Sequence, residues 1–375
     1  NLVNLKQVDL KDSETLKELP YLSKATNLEV LLLRGCAMLT SVHPSIFTLP
    51  KLEKLDLERC SSLTIVTSDS HLCSLSYLNL DWCVNLREFS VISENMKELR
   101  LAHTNVKELP LSFSNLQILD VDYCESLQTI SKLPESLKTL NARCCKSLKT
   151  VLFPSKAVEP LKENRTQVLF WNCLKLDEQS LVAIGLNAQI NMEKFANQHL
   201  KTPNNDSYQA VYVYPGRSVP EWLEYKTTKD YIIIDLSSGP FIPLRGFILC
   251  FVLGEYRHLV DTLVFYVSIS CGEDESEKHR IRMYAEFLES TIESDHVCVM
   301  YDQIFSAFLN TRAKNQTRFK IKVEIGFQFY KVTYIQPEQV LQFGVSPIRT
   351  SGYNSFIQQM GKHFPMSQIS SNKRN

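Results

Sequence analysis

The 375-residue sequence predicts a solenoid of short parallel strands with an irregular convex side, followed by an all-β sandwich. Three observations carry this: a leucine pattern that returns about every 22 residues through the first 151 positions, cysteines at one place in that pattern, and alternating strand-like runs from 208 to 350. With 44% hydrophobic residues, the chain can build two packed cores.

The repeat is explicit. Leu28, Leu31, Leu33 and Cys36 have the spacing L-x-x-L-x-L-x-x-C, and it recurs at Leu52 to Cys60 and Leu75 to Cys83. Further copies run from Met96 to Thr104, Leu116 to Cys124 and Leu137 to Cys145, and a first copy spans Leu5 to Ser13. The ninth places step by 23, 24, 23, 21, 20 and 21 residues, inside the window of leucine-rich repeats. Each copy is expected to lay a short strand on the concave wall of a solenoid, its leucines pointing into a core shared with the next coil. The segments between, such as Leu39-x-x-Val42 and Leu148-x-x-Val151 with Pro44, Pro50, Pro110, Pro134 and Pro154, read as irregular or 3₁₀ returns on the convex side.

Five of the eleven cysteines (36, 60, 83, 124 and 145) fall at the ninth place, where a small side chain turns the chain out of the strand. A stacked thiol ladder suits a reducing compartment, cytosol or nucleus. Zinc finds no C-x-x-C or Cys/His pairing, and Cys144-Cys145 is no redox motif, since one side chain is expected inside and its neighbour outside.

Side chains alternate along a strand, so the fifth, seventh and eighth places face outward. They bring Asp9, Lys11, Asp12; Leu32, Arg34; Asp56, Glu58, Arg59; Asn79, Asp81, Trp82; Arg100, Ala102, His103; Asp120, Asp122, Tyr123; and Asn141, Arg143, Cys144 to one wall. Arg and aromatic side chains on a rigid wall are what hot spots of protein–protein contact are made of. The candidate partner-binding residues are Arg34, Arg59, Trp82, Arg100, His103, Tyr123 and Arg143. His103 near Asp120 and Asp122 is better read as part of a salt-linked face than as an acid–base pair.

Past Val151 the pattern is expected to stop. Residues 152–207 read as a capping and linking segment, with Leu181, Ile184, Leu186, Ile190 and Phe195 at helical spacing to cover the open end of the solenoid, and a polar loop from Lys201 to Ser207. Residues 208–350 then offer strands at Ala210–Tyr214, Tyr231–Leu236, Arg245–Leu253, Thr262–Cys271, Arg280–Phe287, His296–Tyr301, Phe319–Tyr330 and Val340–Ser346. With no helix expected between them, they imply a sandwich of jelly-roll or immunoglobulin-like kind, with Cys250, Cys271 and Trp222 as core residues. Residues 351–375 form a polar tail.

Other functions find little support. The 41 basic and 41 acidic residues give no net charge, so neither a nucleic acid nor a membrane surface is an expected partner. The longest apolar run, Phe247 to Leu253, falls far short of the ~20 residues of a spanning helix, and no secretory signal opens the sequence. Phosphate-loop, dinucleotide, zinc-protease and nucleophile-elbow motifs are absent, so no catalytic set, cofactor or metal is expected. The sequons at Asn164, Asn205 and Asn315 and the acidic run Glu273–Glu277 read as incidental surface features.

Several stretches together resemble plant intracellular immune receptors of the TIR-NBS-LRR class. They are Leu16-Lys-Glu-Leu-Pro20, Leu22 to Glu29, the cysteines at the ninth place and the return Lys107-Glu-Leu-Pro110. The second half is similar to the post-repeat domain of that class at Phe170-x-Asn-Cys-x-Lys-Leu176, Tyr214-Pro-Gly-Arg-Ser-Val-Pro-Glu-Trp222, Gly246-Phe-x-Leu-Cys250 and Asp295-His-Val297. Phe343-Gly-Val345 and Leu223 depart from the usual residues of the class. The resemblance implies a sensing half, in which repeats and post-repeat domain grip a pathogen effector protein and contact the receptor's nucleotide-binding domain. The NAD-cleaving and nucleotide-binding domains of the class lie outside this sequence. An autoinhibitory scaffold without effector contact, or a Cys/His hydrolase in a cleft between the domains, are the competing readings.

Overall fold

The computed structural model describes residues 2–68, 74–91, 93–110, 113–131, 133–153, 165–199, 209–237, 244–260, 262–270, 277–283, 290–315, 317–329, 332–335 and 339–349. Cys73, Cys271, Pro154, the acidic run at 273–276, the loop at 201–207, the sequons Asn164 and Asn205 and the tail from 351 lie outside them.

The seven repeat copies form strands β1 (Gln7–Asp9), β2 (Val30–Leu32), β3 (Lys54–Asp56), β4 (Tyr77–Asn79), β5 (Glu98–Arg100), β6 (Ile118–Asp120) and β7 (Thr139–Asn141), each parallel to the next and in register. Their fourth-place residues stack: Leu31 lies opposite Leu55, Leu55 opposite Leu78, and so on to Leu140. These leucines, the sixth-place residues and the cysteines are buried in one continuous core. On the convex side, Pro44–Thr48 is 3₁₀, as expected. The returns also pair as short parallel ladders, Ile65–Thr67 with Glu88–Ser90 and Thr129–Ile130 with Thr150–Val151.

The repeat does not stop at Val151. Strand β8 (Gln167–Leu169) pairs with β7 in the same register, putting Val168 at the fourth place, Phe170 at the sixth and Cys173 at the ninth. Arg165 stands at the first place of this eighth coil, where the other copies carry Leu or Met. Its buried guanidinium donates to the carbonyls of Leu137 (3.4 Å) and Pro134 (3.3 Å), and burial lowers its pKa.

Helix α1 (Glu178–His199) follows, its first turn capped by Asp177, which accepts from the Ser180 N–H at 2.7 Å. Ile184, Ala188, Met192 and Phe195 pack into the solenoid core. The helix does not plug the open end as expected, because another strand closes that end. Strand β9 (Gln209–Pro215) adds in parallel to β8, with Tyr212 opposite Val168, and α1 lies against its core-facing side, where Asn187 accepts from the Tyr212 hydroxyl at 2.7 Å.

From β9 the sheet turns antiparallel without a break. The further elements are β10 (Tyr225–Thr227), β11 (Tyr231–Asp235), β12 (Leu244–Leu253), β13 (Tyr256–Val260), β14 (Thr262–Ser270), β15 (Glu277–Met283), β16 (Ser290–Ile292), β17 (His296–Asp302), α2 (Gln303–Asn315), β18 (Arg318–Phe329), β19 (Val332–Ile335) and β20 (Val340–Arg349). The large sheet has thirteen strands among the described residues: β1 to β9 in order, then β17, β12, β20 and β10. A second sheet runs β11-β18-β14-β15 with β19 also on β18, and β13 pairs β16. The two layers meet across a second core, where Phe251 of β12 stacks on Phe265 of β14 at 4.3 Å and Phe247 meets Phe319 of β18 at 6.3 Å.

The second half departs from the expected strand series in two ways. A helix does interrupt the strand series: Asp302 caps α2 by accepting from the Phe305 N–H at 2.7 Å, and Phe305 and Leu309, one turn apart, are buried in the second core. Trp222 packs against the solenoid-side core rather than in the sandwich interior. The departures Phe343 and Leu223 are both buried. Phe343 stacks on Phe251 at 5.2 Å, and a β-carbon on the adjoining Gly344 would lie 2.6 Å from Val219 and 3.1 Å from Leu223, so any larger residue there would force the Val219 side chain to move.

Candidate partner-binding face

One backbone device repeats in every coil. The eighth place is left-handed throughout: Asp12, Arg59, Trp82, His103, Tyr123, Cys144 and Asn172 have φ of 55° to 63°, and Gly35 has 76°. Its N–H donates to the seventh-place carbonyl of the next coil. Arg59 reaches Asp81, Trp82 reaches Ala102, His103 reaches Asp122 and Tyr123 reaches Arg143, each at 2.8 Å. The ninth-place cysteine then turns inward, and its thiol donates to a carbonyl of the preceding coil, as from Cys60 to Leu33 (3.2 Å), Cys83 to Leu57 (3.1 Å) and Cys145 to Val121 (3.1 Å). Burial pushes the thiols of Cys60 and Cys124 up to about 12, which makes them structural donors rather than nucleophiles.

Carboxylates and amides on the wall support the same turn. Asp56, Asn79 and Asp120 at the fifth place accept from the N–H two residues on, while Asp81 and Asp122 at the seventh accept from Ala102 and Arg143 of the next coil at 2.7 and 2.8 Å. The polar residues of the concave face thus shape its backbone as well as its surface.

The left-handed turn lines up the eighth-place side chains. Trp82 stacks on His103 at 3.7 Å and His103 on Tyr123 at 4.5 Å, a three-ring ladder along the coil axis. Trp82, at its end, keeps 45% of its surface exposed. Burial lowers the His103 pKa, favouring the neutral imidazole. Arg100 sits among three carboxylates: Glu98 at 2.6 Å, Asp120 at 3.6 Å and Asp81 at 4.0 Å. Burial first, and then the neighbouring carboxylates, push Asp81 up to about 7 and Asp120 to about 6.

Arg143 is not an exposed anchor as the sequence suggested. It is buried in a closed pair with Asp122, to which its Nε donates at 2.6 Å. Arg34 and Arg59 are exposed, and both reach Glu58, at 3.3 and 3.7 Å. Of the seven candidates, six therefore share the wall's surface, and Arg143 braces it from beneath. Third-place residues complete the face, among them Tyr77, whose ring lies 4.6 Å from the Lys54 ammonium. Sequence reasoning took the fifth, seventh and eighth places and passed over the third, although the same period of two puts it on this face.

The eighth coil shows the same columns covered. Leu169, Trp171 and Asn172 occupy the fifth, seventh and eighth places, and all three are buried under the second domain; Leu169 and Trp171 belong to the sandwich core, whereas their neighbours Val168 and Phe170 belong to the solenoid core. The concave side of the repeats therefore becomes the inner face of the sandwich. Cys144 is buried there as well, with the Asn172 amide 3.7 Å from its sulfur, rather than pointing out to solvent. Among the described residues no further coil receives the Asn172 N–H, and His296 takes it: Nε2 accepts at 2.9 Å while Nδ1 faces the Ser294 carbonyl at 2.7 Å. The Asn172 side chain adds bonds to the Thr291 carbonyl and the Glu293 N–H, at 2.7 and 2.9 Å. Burial drives the His296 pKa down to about 4, which keeps Nε2 an acceptor.

Among the described residues no group of His, Cys, Asp or Glu could hold a metal ion, and no helix is long and apolar enough to cross a membrane. No family model matches the chain. Curated relatives do. Disease resistance protein RML1A of Arabidopsis thaliana is 32% identical over 143 residues, covering 37% of this chain and 14% of that protein. Disease resistance protein RPP4 is 46% identical over 91 residues, 24% of this chain and 8% of its own length, and RPS4B is 28% identical over 253 residues, 60% and 21%. The chain spans at most about a fifth of the length of these three relatives. With leucine-rich repeats on one continuous sheet, the chain is similar, over up to 60% of its length, to plant disease resistance proteins of the TIR-NBS-LRR class.

Proposed function

We propose that this chain is a non-catalytic recognition module of a plant intracellular immune receptor, binding a pathogen effector protein and through it controlling receptor activation. One observation carries the reading: the ladder Trp82–His103–Tyr123, with exposed Arg34 and Arg59 and half-buried Arg100 nearby, lies on a rigid concave sheet that runs into the inner face of a second domain. That domain is read here as the jelly-roll and immunoglobulin-like module that follows the repeats in this class. It would stand beside the wall and share the contact. The similarity to disease resistance proteins supports an immune role, and reduced, buried cysteines suit a cytosolic or nuclear setting.

The test is binding of the purified chain to a panel of purified effectors, wild type against Trp82→Ala and Tyr123→Ala. The reading expects an effector that binds wild type and binds both variants at least tenfold more weakly. Binding that ignores both substitutions would remove the wall from the contact. The autoinhibitory alternative is separated in the full receptor, where deleting residues 152–375 gives insensitivity on the recognition reading and signalling without effector on the scaffold reading.

A further inference from the structure

We propose that the concave face of coils 3 to 6 takes a basic protein segment, with an Arg or Lys side chain entering the carboxylates around Arg100 and lying alongside Trp82. This deepens the recognition reading and rests on it, adding the chemistry of the partner.

The face differs from the part of the same sheet that the chain covers itself. Where the second domain seats on coil 8, the outward places are Leu169, Trp171 and Asn172, two of them apolar and buried in a shared core. In coils 3 to 6 the fifth and seventh places are instead Asp56, Glu58, Asp81 and Arg100, which keep part of their surface exposed, and Asn79, Ala102, Asp120 and Asp122, which are buried without the second domain over them. Such a surface is built for a charged partner rather than for an apolar cover.

The sign of that partner follows from the pairing. Lys54 lies over the Tyr77 ring, Arg34 and Arg59 reach Glu58, and Arg143 is closed on Asp122. What remains at the centre is one guanidinium, Arg100, against Glu98, Asp81 and Asp120, three carboxylates within 4.0 Å of it. Burial first, and repulsion between the carboxylates second, push Asp81 and Asp120 toward their protonated forms; a second cation would offset both, whereas an anion would add to the repulsion. The ring ladder is the independent half of the case: Trp82 is the exposed end of a stack whose other members pack against each other, so its ring is available to a guanidinium or to a lysine stem.

Binding should then be linked to protons. A cation binds the ionised carboxylates, so affinity falls as pH drops from 8 to 6 through the range in which Asp81 and Asp120 titrate. The other groups around them, Glu58, Glu98, Asp122, Tyr77, His103, Arg100 and Arg143, all stay in the Asp81→Asn/Asp120→Asn variant as a common background.

The experiment is calorimetry of the whole chain with octaarginine, octalysine and octaglutamate at about 20 mM salt, where screening is weak. Asp81→Asn/Asp120→Asn is the main variant, because an amide keeps the oxygen that accepts from the Ala102 and Asp122 N–H groups. Glu98→Gln is a second, milder one, and melting curves confirm that each variant folds. Expected are binding of octaarginine, none of octaglutamate, a loss of tenfold or more in the double variant and about threefold in Trp82→Ala, and weaker binding at pH 6 than at pH 8. Failure of octaarginine to bind, equal binding of octaglutamate, or indifference to the carboxylate variants would overturn the proposal. If Trp82→Ala and Tyr123→Ala weaken an effector while the carboxylate variants do not, the face is still the recognition surface and only its preference for a basic partner is lost.

Discussion

At the residue scale the eighth place shows why identity and conformation must be read together. A left-handed backbone costs an L-residue roughly 1 kcal/mol, and among the described residues of this solenoid seven that are not glycine adopt it. Arg59→Gly is therefore expected to stabilise the chain by up to about 1 kcal/mol in urea denaturation, less the entropy that glycine gains on unfolding. The cysteine ladder was legible because its spacing is periodic. His296 was not: its partner Asn172 is 124 residues away, and nothing in the local sequence marks it as the acceptor that ends a hydrogen-bond ladder. Its folded pKa of about 4 lies below the ordinary 6.5, so below pH 6.5 the unfolded chain takes up a proton that the folded chain refuses. Stability from this site is complete above pH 6.5 and is lost as pH falls toward 4. His296→Gln should flatten that limb of a plot of melting temperature against pH. Asp81 and Asp120 act in the opposite sense, because raised carboxylate pKa values cost stability as pH climbs from about 4 to 7, so Asp81→Asn/Asp120→Asn should flatten the opposing limb.

At the element scale, coils 1 to 7 could be read off the sequence because Leu and Cys recur at fixed places, and one such reading locates the whole wall. The eighth coil escaped for two reasons: Arg165 replaces the first leucine, and the ninth place comes 28 residues after Cys145. Helix α2 escaped because its buried residues, Phe305 and Leu309, are few and stand between strands. Arg165 gives a test of how the eighth coil is held. Arg165→Met keeps the length of the side chain and removes a buried cation whose guanidinium donates to the Leu137 and Pro134 carbonyls; it is expected to change stability by less than about 1 kcal/mol or to raise it. Arg165→Ala, which opens a cavity under the coil, should cost about 2 kcal/mol or more, both read from urea denaturation.

At the scale of the whole molecule the two domains share a sheet, and β8 and β9 contribute alternate residues to both cores. Period-two alternation foretold strands in both halves, yet it could not foretell that they join, since strand order depends on contacts remote in sequence. Truncation before β9 would lay bare Leu169, Trp171 and the last solenoid leucines, so a chain ending at residue 207 is expected to aggregate on size exclusion where the whole chain does not. Continuity also fixes the wall relative to the second domain, which suits a face that must present several contacts in one geometry. The most direct measurement of that central claim is effector affinity, wild type against Trp82→Ala and Tyr123→Ala, with melting temperatures taken alongside. The account predicts at least tenfold weaker binding with melting shifted by only a few degrees; unchanged affinity in both variants would contradict it.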